Sequence, residues 1–317
     1  MRAVTLARRA VASVLVALAW AAASPGASVA AAIPNSAQSW YGHVVDDLHP
    51  LQSTLLGALG AASAWASGTE SAAKARQEFE RDLPAFERVR RALQNLAPPP
   101  GHASAHADYV AAIGLYAASL QVDEAATEEP SGALQGQLQH SYLRIRSLGD
   151  IVFDQGTAEL ASGLGSAVAG PDVAAASHVP DWSSDGLVPS PPLAPSWRPA
   201  GAPASGTEPK GEWAAEVATD GAPTQAAVRA AVAGHSRDSD LEGMVVALGA
   251  ADAYVGSVPG TAGDPLAANR LRLGLLVDAE ALMSEEAAHL SHAPPARTLA
   301  AIAAGLGSIG GTLRAES

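Results

Sequence analysis

Residues 171–210, PDVAAASHVPDWSSDGLVPSPPLAPSWRPAGAPASGTEPK, hold 9 of the chain's 22 prolines. Proline has no backbone N–H and its ring clashes with the preceding helical turn, so a continuous helix is not expected here. Helical patterning stands on both sides. The stretch reads as a proline-rich connector, placed at 167–211, between an N-terminal helical bundle at 33–166 and a C-terminal one at 212–317. It carries Trp182 and Trp197, with Trp213 just after it. Large aromatics gain strongly from burial, which predicts that part of the connector lies across the bundles.

Outward from the connector, apolar residues recur at steps of three and four. Asn35 or Ser36 caps a first helix with Val44, Leu48, Leu51, Leu55, Leu59 and Ala62 in line and a bend expected at Pro50. A second opens near Thr69, carries Phe79, Leu83, Phe86, Val89, Leu93 and Leu96, meets a kink or break at Pro84 and stops at Pro98, Pro99 and Pro100. A third, from about Ser104 to Pro130, aligns Tyr109, Ile113, Tyr116 and Leu120, and a fourth after Ser131 aligns Leu134, Leu138, Ile145, Leu148 and Val152. These four are expected to form an antiparallel four-helix bundle.

The second half predicts a looser bundle of three to four helices. Its segments are Thr224 to Ala233, a run through Leu241, Val245, Leu248, Ala251 and Val255, then Pro265 to Leu290, and a last helix. In that helix Leu299, Ile302, Leu306, Ile309 and Leu313 follow one another without a miss, a narrow seam that must face partners. The fold class expected is all-α. Only 4% of residues are aromatic, so alanine and the branched aliphatics must make the core, on closely approaching helices.

At the N-terminus Arg2, Arg8 and Arg9 precede an uncharged run from Ala10 to Ala23, broken soon after by Ser24, Pro25 and Gly26. That run is too short to span a bilayer and has the form of a secretory leader, residues 1–32, with cleavage at Ala30 or Ala32. The chain is expected to be secreted or extracytoplasmic, with no stable membrane span once the leader is removed. With no cysteine, disulfides, thiolate catalysis and thiolate metal sites are excluded. Loss of the three leader arginines takes the formal charge from -13 to -16, so nucleic acid is a poor partner. Two lysines among 19 basic residues, with abundant Ala, Gly and Arg, match the coding bias of high-GC bacteria.

Few residues form patterns that carry chemistry. Glu286 and His289 make a Glu-x-x-His, a spacing that aims an oxygen and an imidazole nitrogen at one interior point in carboxylate-bridged metal bundles. Its one companion, Asp46 with His49, lies in the other half. His102 and His106 are four apart, as a one-face metal clamp requires, but Asp108 is the one acid near them. Tyr109 and Tyr116 are expected to pack with their hydroxyls at the rim. His43 with Asp46 and Asp47, and Arg146 with Asp150 and Asp154, read as solvated polar faces.

Three further patterns mean less than they spell. Gly305, Gly307 and Gly310 give G-x-G-x-x-G with no strand before them, and Ser71 with Lys74 gives S-x-x-K without its partner motifs. No G-x-S-x-G or H-E-x-x-H occurs. The expected function is a non-catalytic binding or interaction module of the cell envelope that needs no cofactor and takes an unidentified protein or small ligand as partner. The alternative is a metal-binding, ferritin-like bundle using Glu286 and His289.

Overall fold

The computed structural model describes residues 35–163, 265–291 and 294–315. The leader with Ala30 and Ala32, the connector with its tryptophans, and the segments Thr224 to Ala233 and Leu241 to Val255 lie outside them. Among the described residues the secondary structure is helical and no strand occurs, in line with the all-α expectation. The helices are α1 (Asn35–Ala66), α2 (Ala72–Asn95), α3 (Ala103–Glu128), α4 (Ala133–Gly163), α5 (Pro265–Leu290) and α6 (Pro295–Ala315).

Local chemistry sets the ends. Gly68 takes φ +72 after α1, where its N–H donates to the Trp65 carbonyl at 2.8 Å, and the Thr69 hydroxyl satisfies the Ala64 carbonyl at 2.9 Å. Ser71 caps α2, its hydroxyl accepting the Lys74 N–H at 3.3 Å, so the S-x-x-K pattern is a helix start. α2 runs through Pro84 without interruption and ends at Asn95, before the three prolines. α5 and α6 each open on a proline, which loses nothing at a first helical position because that N–H has no helical partner.

Most positions of the predicted stripes are buried, while Leu59, Leu83, Val89, Leu96, Leu134 and Ile309 are partly buried at the edge of the core. Val44, Leu48, Leu51 and Leu55 of α1, Phe79, Phe86 and Leu93 of α2, Ile145 and Val152 of α4, and Leu299, Ile302, Leu306 and Leu313 of α6 all belong to one hydrophobic core. α3 exceeds its stripe: every residue from Ala111 to Leu120 is buried. Small side chains on all its faces let other helices close around it.

α3 packs on α4, α4 on α5, α5 on α6, and α6 returns to α3; α2 lies on the remaining side of α3 and α1 on α2. Directions alternate around that ring. Tyr116 meets Asp150 and Tyr109 meets Thr157 across an antiparallel α3–α4 pair, while Gly274 and Asp278 of α5 lie against Arg314 and Gly310 of α6. The described helices of the two halves thus share one core, with α5 and α6 seated directly on α4 and α3. Among the described residues no helix is long and apolar enough to cross a membrane.

Candidate functional site

A cleft of about 480 Å³ opens between α2, α3 and α6. Its floor is small or aliphatic: Gly114, Ala117 and Ala118 from α3 face Ala301, Gly305 and Ile309 from α6. These α3 positions repeat at three and four, so they form one face of the helix. Arg90 stands at one end, where its stem approaches Gly114 at the level of Ile309. Arg297 stands at the other, twelve positions before Ile309 and therefore about 18 Å along α6. Between them lie Glu87, which meets Arg90 at 3.8 Å, and Gln121 and Thr298.

That lining holds no histidine and no nucleophile set beside a base, so it offers shape, apolar contact and end charges rather than acid–base chemistry. Its volume lies within the range of small-molecule sites, about 300–1,000 Å³.

A second polar constellation is buried between α3 and α4. Tyr116 donates its hydroxyl to Asp150 Oδ1 at 2.8 Å, and Arg146 Nη2 lies 3.9 Å from Asp150 Oδ2. The antiparallel register that sets Tyr116 against Asp150 brings Asp123 level with Tyr142. Asp123 is 1% exposed, and neither its Oδ2 nor the Tyr142 hydroxyl has a hydrogen-bond partner. Burial pushes the Asp123 carboxyl up to about 8. It also raises Asp150, and it raises Asp154 to about 6 with help from the Asp150 charge. Tyr142 is likewise lifted, first by burial and then by Asp123. Arg146, Asp150 and Asp154 are therefore not a solvated face: Arg146 is 2% exposed and its row borders α3.

A third set ties α5 to its neighbours. Arg270 bonds both carboxylate oxygens of Asp108, Nε at 3.0 Å and Nη2 at 2.8 Å, and also pairs with Glu159, which accepts from Ser104. Further along, Glu280 accepts from Ser141 at 3.0 Å and from Arg144 at 2.6 Å, and Ser291 donates to Glu129.

The residues singled out in sequence are dispersed. Glu286 is buried, whereas His289 is exposed and turns to Glu285 at 3.5 Å, so the two do not aim at one interior point. His102 and His106 do share a face, but that face meets a tryptophan. The His102 ring stacks on Trp40 with centroids 6.3 Å apart and planes 13° apart; the His106 ring tilts against it at 6.0 Å and donates Nε2–H to the Leu93 carbonyl at 2.7 Å. They are packed, not surface, histidines. Tyr109 is buried with its hydroxyl 3.2 Å from Thr157. Side chains of His43, Asp46, Asp47 and His49 lie outside the described set. Among the described residues no three His, Asp or Glu side chains converge as a metal would need. Gly305, Gly307 and Gly310 sit inside α6, with no strand leading into them.

Asp123, Glu280 and Arg270 belong to no pattern in the sequence, and Asp108 figures there only as the acid near His102 and His106. The signal available was a charged residue inside an alanine- and leucine-rich helical run, where an exposed site is scarce. Compared with family models, curated proteins and solved structures, the chain matches none.

Proposed function

We propose that this is an exported, non-catalytic binding module whose ligand seat is the cleft between α2, α3 and α6. The leader at residues 1–32 supports export, and the proline-rich stretch at 167–211 joins the two helical halves. The observation that carries the binding reading is a cleft of ligand size with an apolar floor and a guanidinium at each end. A long, narrow small ligand of the cell envelope fits it better than a compact polar one, because the polar groups sit at the ends and rim.

Gly305 gives the direct test. A Cβ placed there meets nothing within 4 Å, so Gly305→Leu starts from open space, puts an isobutyl group into the cleft lining and adds a better helix former. Anilinonaphthalene sulfonate, an apolar fluorophore with one anionic group, is the probe. The mature protein should bind it saturably, and Gly305→Leu should weaken binding at least tenfold while circular dichroism stays unchanged. Equal binding by both proteins removes the cleft from the argument.

A further inference from the structure

Beyond the end held by Asp108, Glu159 and Arg270, the polar cluster of the α3–α4 seam has, among the described residues, one cation and three acids. Arg146 is the cation; Asp123, Asp150 and Asp154 are the acids. Asp150 takes the Tyr116 hydroxyl and faces Arg146, which leaves Asp123 opposite Tyr142 with no cation against it. Buried carboxylates survive as ions only with a partner, and an unpartnered one keeps its proton instead.

We propose that this seam is a proton-linked latch, closed while Asp123 carries its proton and loosened when that proton leaves. Ionised Asp123 would add a second buried negative charge to a seam whose guanidinium, Arg146, already faces Asp150. Moving Arg146 toward Asp123 would strip Asp150, so the charge excess persists in either arrangement. Hydration of the carboxylate, by separation of α3 from α4 around Tyr142, resolves it.

Charged groups on the other helices around α3 are engaged elsewhere. On α2, Arg76 pairs with Glu80 and Glu128 and lies toward Glu124, while Asp82 is held by Arg81 and faces Gly57 of α1. On α6, Arg297 lines the cleft with Gln121. From α5, Arg270 and Ser291 reach α3 at its two ends, at Asp108 and Glu129; between them Glu280 is held by Ser141 and Arg144, Glu285 meets His289, and Glu286 is a further buried acid. Along α3 itself, Glu124 is turned to the α2 charges, and Tyr116 to Asp150. Burial is accordingly the one influence that lifts Asp123.

The latch is read by amide hydrogen exchange on the mature chain between pH 5 and 9, corrected for the intrinsic rate. Protection around residues 116–126 and 139–150 should fall by up to about tenfold per pH unit until the carboxyl is ionised, then level off. Asp123→Asn should keep that protection flat across the range. Constant wild-type protection from pH 5 to 9, or an unchanged slope in Asp123→Asn, overturns the latch. Should the variant fail to fold, the carboxyl carbon resonance of Asp123 in the wild-type chain decides: a midpoint near 8 supports the latch, and one below 5 overturns it.

Discussion

The guanidinium of Arg270 on α5 holds both carboxylate oxygens of Asp108 on α3, at 3.0 and 2.8 Å, across 162 positions of sequence. Both side chains are buried, Asp108 completely. The pair orients α5 against α3 and, through Glu159, against α4.

Breaking that pair from one side should cost more than removing it whole. Arg270→Met takes the guanidinium away from the buried Asp108 carboxylate, and a loss of about 3–5 kcal/mol is expected in urea unfolding. Arg270→Met combined with Asp108→Leu removes both charges and should recover most of the loss. A double variant no more stable than the single one would show that the pair does more than neutralise itself.

Gly310 sets how closely α5 and α6 approach. A Cβ at this position would land on the Asp278 carboxylate and lie 3.0 Å from the Gly274 carbonyl oxygen, a backbone atom that cannot step aside. Asp278 is itself buried and paired with Arg314. Gly310→Ala should therefore destabilise by about 1–3 kcal/mol despite alanine's better helix propensity. The same change at Gly305, where the Cβ is unobstructed, should be neutral or stabilising by up to about 1 kcal/mol. Thermal melts of the two variants side by side test the contrast.

Why one glycine is tight and the other open was not legible in the sequence, where both sit in the same G-x-G-x-x-G. The α6 seam was legible because leucine and isoleucine mark a face when the rest of the helix is small or polar. α3 was half legible: Tyr109, Ile113, Tyr116 and Leu120 mark one face, but alanine is neutral to periodicity and hides burial on the others. Polar seams were misread for a related reason. Arg146, Asp150 and Asp154 at steps of four look like an exposed ion-pair row, and what covers them is a long-range fact of packing. Asp123 and Asp108 are single acids whose partners, or lack of them, lie on other helices, so no local spacing announces them.

His106 is expected to act in stability rather than in metal binding. Its Nε2–H satisfies the Leu93 carbonyl in the last turn of α2, and its ring covers Trp40. His106→Ala should cost about 1–2 kcal/mol by removing one of that carbonyl's two donors, the Leu96 N–H at 3.0 Å remaining, and by opening space beside the indole. One equivalent of zinc should leave the wild-type melting temperature unchanged, since a zinc-ligating Nε2 would have to abandon Leu93. A zinc-dependent rise that His106→Ala abolishes would restore the metal clamp.

Global stability should fall as the solution becomes alkaline, and Asp123 fixes the sign. Its ordinary value is 3.8 and burial raises it to about 8, so between those limits the folded chain binds a proton that the unfolded chain has released. Stability from this group is complete below about pH 4, declines as pH rises, and is lost above about pH 8. Asp154, raised to about 6, adds a smaller loss of the same sign. Asp123→Asn replaces the proton-bearing carboxyl by a neutral group of the same shape whose amide also lacks a partner. The variant should match the wild type, or fall about 1 kcal/mol below it, at pH 5, and exceed it by a few kcal/mol at pH 8.5. Crossing stability curves are the signature, because a merely structural loss would displace the variant downward at every pH.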